Sequence, residues 1–223
     1  MIRNLRTFTS SASVAAMCLF ASAGATSAHP HLFVGAEVTI IVDSGQPSAI
    51  RLDWFYDDFF SLLLTTDLGI DLDGDLSLTP VEMQTLQDAV ADWPADFTGD
   101  LEVTQNGAPV TLGPKERHSV RYFNGLITET HIRPIVNIPD PDAPIALAVF
   151  DPFYYVAYDL RQPINFSGDA ECRASVAPAD LDAAFALVDS LLGGRDPTDV
   201  GVDEEFPAVG AEFADKVTIT CAQ

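Results

Sequence analysis

Between Asp71 and Glu82 the chain reads Asp-Leu-Asp-Gly-Asp-Leu-Ser-Leu-Thr-Pro-Val-Glu. Oxygen-bearing side chains stand at positions 1, 3, 5, 7, 9 and 12 of this stretch: Asp71, Asp73, Asp75, Ser77, Thr79 and Glu82. That spacing suits a hard cation, above all calcium, which takes oxygens at alternating loop positions, a backbone carbonyl at 7 and a bidentate carboxylate at 12. Charge points the same way. Between Leu52 and Pro114 there is no Lys or Arg, while thirteen Asp or Glu occur, four of them in this loop. Crowded carboxylates without a local cation repel one another until an external cation neutralises them. A metal-free reading competes: Thr79-Pro80-Val81-Glu82 is also a capping box with Pro in the first helical turn. Asp-rich turns also arise because Asp bonds its own backbone.

The loop resembles an EF-hand, including the apolar Leu78 at position 8. Its departure is position 6, where the motif expects Gly and the chain has Leu76. Holding a Leu at positive φ costs roughly 1–2 kcal/mol, which predicts weak binding or a differently shaped loop. The flanks fit the motif. Residues 57–67 read as a helix with Phe59, Phe60, Leu63 and Leu64 as its apolar stripe, ended by Gly69. Residues 80–93 read as the leaving helix, with Met83, Leu86 and Val90 on one face and Pro94 as the stop. The EF-hand-like segment thus spans 57–93.

A second candidate lies near the start. Arg3 and Arg6 precede an apolar run at 14–25 and then Thr26-Ser27-Ala28, the layout of a secretory signal peptide over 1–28, cleaved after Ala28 or after Ala25. Cleavage after Ala28 would give His29 a free α-amine beside its imidazole, with His31 close by. Nitrogen ligands of this kind favour copper, nickel or zinc; the alternative is a frayed chain end. His118, among Lys115, Arg117 and Arg121, is a poor cation ligand, and His131 reads as a packed or surface histidine. A copper enzyme built on His29 would need a further histidine such as His131 brought up to it. No nucleophile elbow, phosphate loop, dinucleotide fingerprint or HExxH motif occurs, and Asp57 and Asp58 are adjacent on a helix and do not face each other. The expectation is therefore a protein that is not an enzyme.

Composition bounds the rest. Removing 1–28 takes two of the 11 basic residues and none of the 33 acidic ones, moving the net charge from −22 to −24. That excludes nucleic acid and anionic membranes as partners. The leader is too short to span a bilayer and no later segment qualifies, so no membrane span is expected after cleavage. Cys18 leaves with the leader, so Cys172 and Cys221 are expected to form a disulfide in an exported, periplasmic protein. Strands are expected at 32–42 and 48–54, in hairpins about Asn106-Gly107 and Asn124-Gly125, and at 145–150, 153–160 and 216–221, with a further helix at 178–192. The fold class is α+β: mostly antiparallel strands, an inserted EF-hand-like helix–loop–helix and a C-terminal helix, in one domain over 29–223.

Several stretches resemble the domain-of-unknown-function 1007 family of exported bacterial proteins. They are Ala28-His29-Pro30-His31, Trp54-Phe55-Tyr56-Asp57 before the apolar helix, the Asp-rich loop, the Asp151-Pro152-Phe153-Tyr154-Tyr155 run, and the ending around Gly210-Ala211-Glu212-Phe213 and Val217-Thr218-Ile219-Thr220-Cys221. The resemblance implies the periplasmic component of a transport system, accompanying a membrane metal-transport permease of the nickel or cobalt type. The expected function is a divalent-metal-binding accessory protein for nickel, cobalt, zinc or copper, with calcium in the acidic loop. The alternative is a calcium-stabilised exported binding or structural module without a transport role.

Overall fold

The computed structural model describes residues 30–94, 97–168, 171–200 and 206–222; the expected leader over 1–28 and His29 lie outside them. In chain order the elements are β1 (Leu32–Asp43), β2 (Gln46–Tyr56), α1 (Asp58–Leu68), α2 (Pro80–Ala91), β3 (Leu101–Gln105), β4 (Ala108–Pro109), β5 (Glu116–Phe123) and β6 (Leu126–Pro134). Then come β7 (Ile145–Val149), β8 (Val156–Ser167), β9 (Cys172–Ala177), α3 (Leu181–Leu192) and β10 (Lys216–Cys221). The expected Asn-Gly turns form: Asn106 and Gly107 join β3 to β4, and Asn124 and Gly125 join β5 to β6, all four at positive φ. Positive φ at both central residues matches the twist of the flanking strands, and Asn and Gly tolerate it best.

Two five-stranded sheets result, in the orders β5-β6-β2-β1-β8 and β4-β3-β7-β10-β9. Neighbours run antiparallel except β1 and β8, which are parallel. Period-2 alternation turns Val34, Ala36, Val38 and Ile40 of β1 inward, where they share one core with Leu101, Val103, Leu147 and Val217 of the other sheet. The protein is thus an α+β sandwich. α1 and α2 close one side of it, with Leu86 fully buried among Ile70, Val120 and Ile127.

Two expectations need correction, and one strand has no counterpart in the sequence reading. The strand over 153–160 instead starts at Val156 and runs on to Ser167, because Asp151 accepts the amides of Phe153, Tyr155 and Val156 and holds the chain in a turn. Strand β9 carried no clear signal; it forms along β10, where Cys172 lies opposite Cys221. In α1 the stripe is rotated. Phe60 and Leu64 pack inward, but Phe59 and Leu63 are exposed, and the most buried positions are Ser61 and Thr65. Small residues let the helix lie close on β6, where the Ser61 hydroxyl accepts the Ile127 amide at 3.1 Å.

Candidate functional site

The acidic loop lies between α1 and α2. Asp57 caps α1 by accepting the Phe60 amide at 2.7 Å, and Gly69 ends it in the left-handed region. One carboxylate oxygen from each of Asp71, Asp73 and Asp75 lies within 4.8 Å of the others. Leu76 takes φ 62°, so the chain does turn at the sixth position without a glycine. The Leu76 amide donates to Asp71 at 3.2 Å and the Ser77 amide to Asp75 at 2.8 Å, while the Tyr122 hydroxyl donates to the other Asp71 oxygen at 2.6 Å. Glu82 stands outside the converging trio. Its oxygens accept the Thr79 hydroxyl at 2.7 Å, the Thr79 amide at 2.9 Å and the Asp71 amide at 3.1 Å. The Thr79 hydroxyl, foremost, holds the Glu82 carboxyl below its usual range. Glu82 therefore closes the capping box and ties the loop's last residue to its first.

The described histidines do not gather. His31 is exposed, its amide donating to the Tyr155 carbonyl at 2.9 Å and its ring 4.6 Å from that of Tyr155. His131 is fully buried, edge-on to Trp54 and Trp93 with ring centres 4.7 Å away in each case, and neither ring nitrogen has a hydrogen-bond partner. Burial pushes its pKa down to about 3, so it stays neutral. His131 pairs with Leu52 and Leu52 with Val38, seven residues beyond His31, which at strand rise is on the order of 20 Å along the sheet. His131 therefore lies in the core, far from His31. His118, expected among cations, instead holds its Nε2 2.9 Å from Glu129.

A second polar cluster escaped the sequence reading. Alternation along β6 turns Ile127, Glu129, His131 and Arg133 inward, so three of four core-facing positions are polar. Arg133 is satisfied by the carbonyls of Gly113 and Thr98. Glu129 accepts the Tyr56 hydroxyl at 2.9 Å besides facing His118, and burial raises its pKa. Nearby, the Tyr158 hydroxyl donates to Asp100 at 2.7 Å, and burial pushes the Asp100 carboxyl up to about 6. Gly99, at φ 77°, stands where a side chain would press on Trp93 and His131. Of these groups, Tyr56, Trp93, Asp100, Glu129 and Tyr158 line a cleft at the end of the sandwich. The signal was present in β6: polar residues at every second position of a strand whose partner, β2, is apolar there.

Comparison with known proteins places the chain. Residues 14–221 match the family described as "Protein of unknown function (DUF1007)". The chain belongs to the DUF1007 family. It is similar to an "Uncharacterized protein" of Haemophilus influenzae, 24% identical over 212 residues that cover 91% of this chain and 95% of the relative. No solved structure matches. Two further features of this DUF1007 protein bear on its setting. Cys172 and Cys221 form a disulfide across the β9–β10 pair, Cα to Cα 4.0 Å. Among the described residues, no helix is long and apolar enough to cross a membrane.

Proposed function

We propose that this protein is an exported, non-enzymatic divalent-cation-binding accessory of a metal transport system, with calcium in the loop from Asp71 to Glu82. What carries the reading is the convergence of Asp71, Asp73 and Asp75 oxygens within 4.8 Å, in a segment without Lys or Arg, between two capped helices. A bound dication would offset the mutual repulsion of these carboxylates and tie α1 to α2. Ser77 and Thr79 would add oxygens and Glu82 would swing from the Thr79 amide to the ion. The leader and the disulfide support export to the periplasm. The transport setting and its permease partner rest on family resemblance. There the exposed His31, with His29, would handle nickel, cobalt, zinc or copper.

The test is thermal melting in chelator and in excess calcium. Calcium should raise the melting temperature with a dissociation constant of about millimolar or somewhat tighter, the range of extracellular modules. Glu82→Gln should abolish that rise, although Gln serves a capping box nearly as well. Equal melting temperatures in chelator and calcium sink the loop proposal.

A further inference from the structure

The cleft at the end of the sandwich has a volume of about 440 Å³, within the span of small-molecule sites, roughly 300–1,000 Å³. Its walls carry the rings of Trp54, Tyr56, Phe60, Trp93, Phe97 and Tyr158. Four carboxylates also line it, those of Asp92, Asp100, Glu129 and Asp151, and no Lys, Arg or His does. We propose that this cleft binds a small organic cation, an amine or quaternary ammonium compound, held against the aromatic faces and neutralised by Asp100 and Asp92.

Each other class of ligand meets an obstacle. An anion would face four carboxylates, and the ammonium beside them, Lys115, is already held by the Trp93 ring and the Ala91 carbonyl. A neutral apolar molecule would strip water from those carboxylates without replacing its hydrogen bonds, which is costly. A metal ion needs several converging ligand atoms, and among the described residues the group of three or more lies in the loop at Asp71, Asp73 and Asp75, not here. The cleft carboxylates are also differently committed. Glu129 holds Tyr56 and His118, and Asp151 accepts three backbone amides. Asp100 gives one oxygen to Tyr158, which leaves Oδ1 for a ligand.

The rings supply the rest. An aromatic face attracts a cation through its quadrupole, most strongly for Trp, and the protein uses this already: the Lys115 ammonium sits 3.8 Å from the Trp93 ring centre and donates to the Ala91 carbonyl. Tyr56 and Tyr158 both spend their hydroxyl protons on carboxylates, so neither phenol offers a donor to the ligand. Such a bond also polarises the ring toward greater negative charge. A quaternary ammonium, which accepts no hydrogen bond and donates none, matches walls of this kind.

Both tryptophans of the chain, Trp54 and Trp93, line the cleft, so intrinsic fluorescence reads it directly. The mature protein is titrated in chelator, which keeps the outcome separate from the calcium proposal. The probes are choline, tetramethylammonium and 3,3-dimethylbutan-1-ol, the neutral carbon isostere of choline. We expect saturable changes with both cations and binding of the alcohol weaker by about ten-fold or more. Asp100→Asn and, separately, Phe97→Ala should each weaken choline binding by about ten-fold while far-UV circular dichroism is retained. Affinity should also fall below pH 6, as Asp100 gains a proton. The other groups facing it are the carboxyls of Asp92, Asp151 and Glu129 and the phenols of Tyr56 and Tyr158, with Lys115 and His118 nearest to Glu129. Equal binding of choline and the alcohol overturns the proposal, as does no saturable response to either cation, or choline affinity unchanged in both variants.

Discussion

The acidic loop and the sandwich cleft collect the same residue type and treat it in opposite ways. In the loop, Asp73 and Asp75 are exposed and three carboxylates converge on one point. In the cleft, Glu129 is fully buried and Asp100 partly so, each holds a tyrosine hydroxyl, and the carboxylates are spread along a wall of rings. The loop carboxylates converge at the surface in a segment without Lys or Arg, so what they lack is a compact counter-charge. Burial raises the pKa values of Glu129 and Asp100, so part of the cost there is desolvation. A hard dication suits the first arrangement and a diffuse, weakly hydrated organic cation the second. On these two proposals, packing density around a carboxylate, more than the count of carboxylates, would select the ion.

The strongest way to break this contrast is to disarm one region and read both. Asp73→Asn combined with Asp75→Asn should erase the stabilisation by excess calcium, about 2 kcal/mol when calcium stands well above its dissociation constant, and leave the choline response intact. Loss of both responses would mean that the regions are not independent.

Asp100→Asn sharpens the comparison from the other side. The folded pKa of Asp100, about 6, lies above its unfolded value, so the fold binds the proton more tightly and stability drops as pH rises from about 4 through 6. Asn keeps an acceptor for Tyr158 and has nothing to ionise. The variant should be more stable by on the order of 1 kcal/mol at pH 7.5 and gain nothing at pH 4, measured by urea unfolding at both pH values.

His131→Leu should have the smallest effect at pH 7, within about 1 kcal/mol, because a side chain of similar size replaces one whose two nitrogens make no hydrogen bond. Its signature is in acid. The folded pKa, about 3, lies below the unfolded value, so the wild type loses stability as pH falls below about 6.5. The variant should lose less between pH 7 and pH 5. Parallel stability curves for the two proteins would refute this account of His131.

Local rules made much of this architecture legible. The Asn-Gly turns, the β1 strand, the Thr79 capping box and the Cys172–Cys221 pairing are each set by a few neighbouring residues or by simple counting. The cleft was not legible, because its members come from β2, β6, β8 and the stretch before β3, and only the sheet order brings them together. The rotated face of α1 was missed for a related reason. An apolar stripe argument ranks Phe59 above Ser61, but close approach to β6 rewards the small residue with a hydroxyl. Asp151 defeated the strand expected at 153–160 because one carboxylate can satisfy three amides that a ladder would otherwise claim.

The parallel pairing of β1 with β8 sets a timetable for the growing chain. Glu37 of β1 faces Arg161 of β8 across 124 residues of sequence. β2 follows β1 after a two-residue turn and covers one of its edges at once. The other edge has no partner until at least Val156 has been made and delivered. Such separations are closed late because the entropy of the long loop is lost before the contacts form. For most of its synthesis the chain therefore carries an open edge on an apolar core strand, the kind of edge that invites pairing with another molecule.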